Sequence, residues 1–468
     1  MEKFDGKIIE KIVSQYEKLQ DKSLLQREYN EDRDNNNIEG RSEYARDYAR
    51  ILYSSAFRRL QGKMQILGIN STAFYRNRLT HSLEVSQIAR SLARILSHKC
   101  GKENKMYRDE ELYLLDAAAL AHDIGHPAFG HKGEKVLEEI ANKYKLRFEG
   151  NAQNFRVLRK LDQHGSSEMG LNLTYRTLLA INKYLNYENA VDRENKLVKK
   201  FMFQADFEFL NKFRNEHQLN TRTLDVQIIE LADDIAYAVH DLEDGLAQGV
   251  FNIDELIFEI KNYKSYPKNS FNDDKIDDAI NLFRKYIGIV QNDIKASNLQ
   301  QYSHLFRKKL ISLLTDKFIR SITYSETNNE LTLDDSHYVL CKVLAKTIYV
   351  CITRNSQVAT YEKKGEIVIK TLFNIYADKD INQGYMLLPP DYRPNNNDDV
   401  KKIAQCCIDY IAGMMDTYAI AEFTRLTGLE FDQINISKIP NTLVNTETKN
   451  HQLWEIDLKC AVQTVNHI

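Results

Sequence analysis

Within ALAHDIGHPAFGHKGE (119–134), His122, Asp123, His126, His131 and Glu134 crowd into thirteen positions of a chain that holds only 12 histidines. The run before them, LYLLDAAALA, is apolar and reads as a buried helix. A carboxylate and an imidazole at the end of such a helix are costly to bury unless each finds a partner. A simple His–Asp hydrogen bond would satisfy one such pair. Two other segments repeat the anomaly, however: RNRLTHSLEV opens a helical pattern with His81, and Asp233 lies inside the apolar LADDIAYAV. One divalent ion held by His81, His122, Asp123 and Asp233 accounts for all four together. Mixed imidazole and carboxylate ligands suit Mn, Fe, Co or Zn and tolerate Mg. Open coordination positions would take water and a phosphate oxygen.

Helical periodicity dominates the elements that must position these groups. SEYARDYARILYSSAFRRL predicts a helix with Ser42 as candidate N-cap, and HSLEVSQIARSLARILSH predicts another with Thr80 as its cap. ELYLLDAAALAHDI predicts a central helix ended by Gly125 and Pro127. In VQIIELADDIAYAVHDLEDGL, Asp233, Tyr237 and Asp241 fall at i, i+4 and i+8, one stripe of one helix. Asp234 competes with Asp233 as a ligand, but its side chain points about 100° away. DAINLFRKYIGIVQNDI, HYVLCKVLAKTIYVCI and KKIAQCCIDYIAGMMDTYAIAEFTRL predict further helices, and GEIVIKTLF is the best strand candidate. NEDRDNNNIEG, YENAVDRENK, SYPKNSFNDDK and LPPDYRPNNNDD read as loops. The expectation is a mainly α, all-α protein with at most a short strand pair. An N-terminal helix and loop (1–40) precede a core (41–250), and a helical elaboration (251–468) packs on that core.

Composition agrees with a large folded chain. Its 468 residues are 43% hydrophobic and 28% charged, and only 6 prolines and 18 glycines interrupt long helices. A net charge of −2 excludes a global basic field for nucleic acid, leaving only local strips such as FRRLQGK. Cys100, Cys341, Cys351, Cys406, Cys407 and Cys460 form no CxxC pair and read as free thiols of a reducing compartment. MEKFDGKIIEKIVSQYEKL has no signal-peptide core, and no window approaches the ~18 apolar residues of a membrane span. A soluble, cytoplasmic protein with no membrane partner is expected.

The H…HD…D pattern resembles the HD superfamily of metal-dependent phosphohydrolases. FRRLQGKMQ, RLTHSLEV, HDIGHPAFGHKGE, FEGNAQNFRVL, LNLTYRTL, ADDIAYAVHDLEDG and DYIAGMMDTYA, in that order, resemble the deoxyguanosine-triphosphate triphosphohydrolases (dGTPases) across roughly residues 40 to 430. HDLEDG (240–245) is also similar to the HDxxED of (p)ppGpp hydrolases, but here the HD pair is followed by IGHPAFGH and synthetase-type motifs are missing.

The resemblance implies an HD-domain core and hydrolysis of a dNTP to deoxynucleoside and inorganic triphosphate, by attack of water on the α-phosphorus. It favours Asp233 over Asp234 as ligand, with Mn or Mg the favoured ion for activity. His131 and Glu134 match the family's catalytic pair, an imidazole that activates water and a carboxylate that orients it. His126 matches a position near the phosphates. Arg78, three before His81, can reach a phosphate from the same side of the helix. Lys183 of LAINKYLN matches a phosphate-binding Lys-Tyr, although Leu185 stands where the family often has Pro. Arg58 and Arg59 stay divided between phosphate contacts and salt-bridge partners. Gln65 and Asp241 match contacts to the 3′-hydroxyl, and Tyr237, packed under C2′, would exclude a ribose. Relatives form rings or tetramers, so a homo-oligomer is implied, and a nucleotide effector or single-stranded DNA is a candidate partner. Two alternatives are a nucleotide sensor or nucleic-acid binder on an HD scaffold, and a 5′-nucleotidase. The motifs leave open whether dGTP alone or dNTPs broadly are the substrate.

Overall fold

Apolar side chains spaced three and four apart build almost the whole molecule. In a computed structural model, the protein is all-α, with 17 helices and one two-stranded sheet among the described residues. The structure describes residues 3–434 and 436, apart from 31–40, 66–75, 104, 164–169, 193, 267–270 and 396. NEDRDNNNIEG therefore lies almost wholly outside the described residues, as do part of SYPKNSFNDDK and Cys460. The other five cysteines are free. Among the described residues no helix is long and apolar enough to cross a membrane.

The first half contains α1 (Gly6–Lys18), α2 (Glu43–Tyr53), α3 (Ser55–Arg59), α4 (Arg78–Lys99), α5 (Asp109–Ala121), α6 (Gly130–Lys143), α7 (Gly150–Arg156), α8 (Tyr175–Ile181), α9 (Gln204–Glu216) and α10 (Leu224–Ala247). After these come α11 (Ile253–Lys261), α12 (Asp273–Asp293), α13 (Leu299–Arg320), β1 (Ile322–Ser325), β2 (Glu330–Leu333), α14 (Asp335–Thr353), α15 (Ser356–Ala377), α16 (Val400–Ala412) and α17 (Asp416–Thr427).

Ser42 caps α2 through the Ala45 N–H. Ser54, extended and capping α3, splits what reads as one helix into α2 and α3. Asn77, not Thr80, caps α4: Thr80 is the third helical residue and completes a reciprocal capping box. The helix leading to the HD pair stops at Ala121, earlier than Gly125 and Pro127 suggest, with His122 as its C-cap. KKIAQCCIDYIAGMMDTYAIAEFTRL divides at Gly413 into α16 and α17.

GEIVIKTLF is not a strand but the middle of the 22-residue α15. Its unbroken apolar run mimics a buried strand, whereas Glu366 and Lys370, bonded at i, i+4, mark the helical period. The sheet is instead a hairpin, with Ile322 opposite Leu333 and Ser325 opposite Glu330. Its four-residue strands are too short to show a period in sequence.

The buried core falls into two main clusters. One gathers α4, α5, α8, α10 and α12–α14. The other joins Val136, Leu137 and Ile140 of α6 to Val368, Leu372 and Phe373 of α15, and to residues of α16 and α17. α4 packs between α5 and α10, so the apolar helices bearing His81, His122 and Asp233 converge.

Candidate metal centre and active site

Three helices deliver the first cluster. His81 stands on the first turn of α4, His122 and Asp123 leave the C-terminus of α5, and Asp233 faces them from α10. His81, His122 and Asp123 each offer a ligand atom, all within 4.8 Å of one another. Oδ1 of Asp233 lies 3.1 Å from Nε2 of His81 and 3.5 Å from Nε2 of His122. Asp234 turns outward and pairs with Lys342 at 2.6 Å.

The donor set fits a divalent ion. Nδ1 of His122 contacts the Ala119 carbonyl at 2.6 Å, which turns Nε2 toward the carboxylates, and among the described residues that buried Nε2 has no hydrogen-bond partner. Such an arrangement fixes the tautomer of a ligating imidazole. Burial opposes a charge on His122, yet Asp123 and Asp233 push its pKa up to about 9. Asp123 is also buried, but the Arg78 guanidinium and the His122 imidazole hold it well below the usual carboxylate range. Arg78 itself, fully buried, donates to Oδ2 of Asp123 at 2.6 Å, and its Nε has no partner among the described residues.

The polypeptide after the HD pair stays close. Any side chain at Gly125 would bring a Cβ within 2.0 Å of the Asn154 backbone nitrogen. Asn154 Nδ2 donates to the His122 carbonyl at 3.2 Å. His126 is buried with Nδ1 3.1 Å from Oδ1 of Asp123. Burial, helped by Arg78, keeps it neutral, its pKa lowered to about 3.

Gly130 begins α6, so His131 and Glu134 occupy its first turns. Nδ1 of His131 lies 3.6 Å from Oε2 of Glu134, and His131 is half exposed. Glu134 accepts from the Gly150 N–H at 3.0 Å and lies 3.8 Å from Lys200. Although burial opposes it, His131, Lys200 and the Gly150 N–H hold this carboxyl well below its usual range.

On α10, one turn past Asp233, the ring of Tyr237 sits 5.0 Å from that of His81. One turn further on, burial and Asp244 push the Asp241 carboxyl well above its ordinary value. Gln65 is buried, and among the described residues neither of its side-chain polar atoms has a partner. Lys183 lies 3.7 Å from Glu230 and 3.9 Å from Asp233. Arg58 and Arg59 are turned to local partners, the Tyr53 carbonyl and the Ser55 hydroxyl. Lys63 is buried, so FRRLQGK is not a continuous basic surface.

Sequence reading did not single out Glu230, Lys200 or Asn154. Glu230 precedes Asp233 by three on α10, a spacing that flags it once Asp233 is chosen. Lys200, which also pairs with Glu149 at 2.6 Å, carries no local signal.

Residues 78–238 match the HD domain, and residues 332–425 match the phosphohydrolase-associated domain. The centre thus belongs to an HD-domain protein, the class that its helical core and His-His-Asp cluster define. The chain is 36% identical over 437 residues to deoxyguanosinetriphosphate triphosphohydrolase-like protein 2 of Vibrio cholerae serotype O1, covering 91% of this chain and 97% of that protein. A deoxyguanosinetriphosphate triphosphohydrolase-like protein of Shewanella pealeana is 33% identical over 444 residues, covering 84% and 94% respectively. The chain belongs to the HD-domain family of deoxyguanosinetriphosphate triphosphohydrolase-like proteins.

Proposed function

We propose that this protein is a dNTP triphosphohydrolase that converts dGTP, and other dNTPs if its base pocket admits them, to deoxynucleoside and inorganic triphosphate. The observation that carries this reading is the continuity of α10, where Asp233 faces the histidine cluster and Tyr237 and Asp241 follow at one-turn intervals. A carboxylate ligand and a sugar-reading surface then share one rigid helix. Residues 41–250 form the catalytic core in this reading, and 251–468 are a helical elaboration on it.

His81, His122, Asp123 and Asp233 would hold one divalent ion, whose Lewis acidity at an α-phosphate oxygen is the chemistry it supplies. Arg78 keeps Asp123 ionised through their 2.6 Å contact. Glu134 faces Nδ1 of His131 and orients the ring, leaving Nε2 to take a proton from the attacking water. His126, buried and neutral, borders the phosphates. Lys183 offers the phosphates a cation beside the centre. Tyr237 packs against C2′, where a ribose hydroxyl would clash, while Asp241 and Gln65 take the 3′-hydroxyl. The buried Gln65 amide gains a partner in doing so.

Incubation with dGTP and Mn tests the reaction by its products. Inorganic triphosphate with deoxyguanosine is expected; stepwise orthophosphate, or no product with any dNTP, overturns the proposal. A panel of four dNTPs, each alone and paired with a second, then defines base preference and any activating nucleotide.

A further inference from the structure

FRRLQGKMQ and DYIAGMMDTYA place no candidate ligand in the centre, yet each delivers a buried charge to the turn that leads from His126 into α6. Asp416, the first residue of α17, is fully buried and spends both oxygens outside its own helix. Oδ1 accepts from the Phe129 N–H at 3.1 Å; Oδ2 accepts from the Tyr361 hydroxyl at 3.2 Å and the Met64 N–H at 3.4 Å. From the other motif, Nζ of the buried Lys63 donates to the carbonyls of His126 at 2.5 Å and Ala412 at 3.1 Å.

The turn needs such fastening. Phe129 adopts φ +61°, the left-handed region that a non-glycine residue occupies only at a cost. Its ring is fully buried beside Tyr361 and Phe431. Gly365 of α15 admits it, since a Cβ there would meet the Phe129 ring at 2.4 Å. Asp409, at the other end of DYIAGMMD, binds Gln153 and Arg156 of α7, next to the Asn154 that holds the His122 carbonyl.

We propose that Asp416 and Lys63 are positioning residues that clamp residues 126–129, so that the phosphohydrolase-associated segment sets where His126 and the His131–Glu134 pair stand. The inference deepens the catalytic reading above, and only its turnover measurement rests on that reading.

Asp416→Asn keeps the shape but turns an amide donor toward backbone N–H donors. Glu422→Gln on the same helix is the control: that carboxylate is also buried, but it binds the Tyr376 hydroxyl at 2.8 Å and Arg425, away from the turn. The readouts on the full chain are dGTP kinetics and the 13Cε1 resonance of His131 in histidine-labelled protein, assigned with His131→Gln. In Asp416→Asn the His131 resonance should move while those of His98 and His304 stay fixed. Its kcat should fall about tenfold or more, as for small misplacements of a reacting group, with KM within about threefold. Glu422→Gln should match the wild type in both, even if its Tm falls equally. An unmoved His131 in Asp416→Asn, or an equal movement in Glu422→Gln, overturns the clamp. Movement of His131 in Asp416→Asn alone, in a protein that hydrolyses no dNTP, supports the clamp and rejects the proposed reaction. If Asp416→Asn does not fold, Tyr361→Phe deletes one bond to the carboxylate and should move His131 less but in the same direction; no movement there also overturns the clamp.

Discussion

Nε2 of His81 and Oδ1 of Asp233 stand 3.1 Å apart across 152 residues of sequence. Each sits on a helix whose buried face is mainly apolar, so burial there calls for a partner from another element. Their meeting point, shared with His122 and Asp123, governs the first prediction.

His122→Ala or Asp123→Ala should lose bound metal and hydrolysis together. Asp123→Ala should also unfold more easily, since removing one partner of a buried ion pair costs about 3–5 kcal/mol and Arg78 would be left alone. Metal stoichiometry, dGTP turnover and urea unfolding check this. Normal metal content with full activity in either variant removes these residues from the centre.

His131→Ala should lower turnover by about 10² or more, the scale of a lost general base, with metal binding retained. Glu134→Ala should cost less, because it orients the ring and does not transfer the proton. Loss of metal in His131→Ala would make that histidine a ligand instead.

Sugar selection should follow the α10 stripe. GTP should be a far poorer substrate than dGTP, and Tyr237→Ala should narrow that gap while weakening dGTP binding. Asp241→Asn should reduce activity on dGTP yet keep the discrimination, because both sugars carry a 3′-hydroxyl. The measurement is kcat/KM for both nucleotides with each variant. An unchanged ratio in Tyr237→Ala assigns the 2′ position to another residue.

Glu366 predicts a pH effect away from the centre. Burial works against its charge, but Lys132, Lys370 and Lys363, at 2.7, 2.7 and 3.2 Å, hold its pKa down to about 2. A carboxylate depressed in the folded state adds stability that is fully present above its unfolded value of 4.5 and is lost as pH falls toward 2. Glu366→Gln should therefore be less stable than wild type at neutral pH, with the gap steady down to about pH 4.5 and closing between there and about pH 2. Urea unfolding across that range measures it, and a gap independent of pH would show that the lysines do not hold Glu366 ionised.

Much of this was legible in the sequence because it is written in local periodicity and residue type. The helices around His81, His122 and Asp233 and the shared stripe of Asp233, Tyr237 and Asp241 follow from spacings of three and four. Ion-type residues inside apolar runs are conspicuous because burial without a partner is expensive. Where local signals were degenerate, tertiary packing decided. An apolar run such as EIVIKTLF fits a buried strand or a buried helix equally, and the pairing of Glu366 and Lys370 and the packing of α15 on α6 select the helix. Ser54 and Gly413 break helices that periodicity alone would continue. No sequence pattern predicts that Asp416 reaches Phe129, 287 residues away, or that Lys63 reaches Ala412. Such contacts depend on which faces of distant helices meet, and that is settled only when the whole core closes around them.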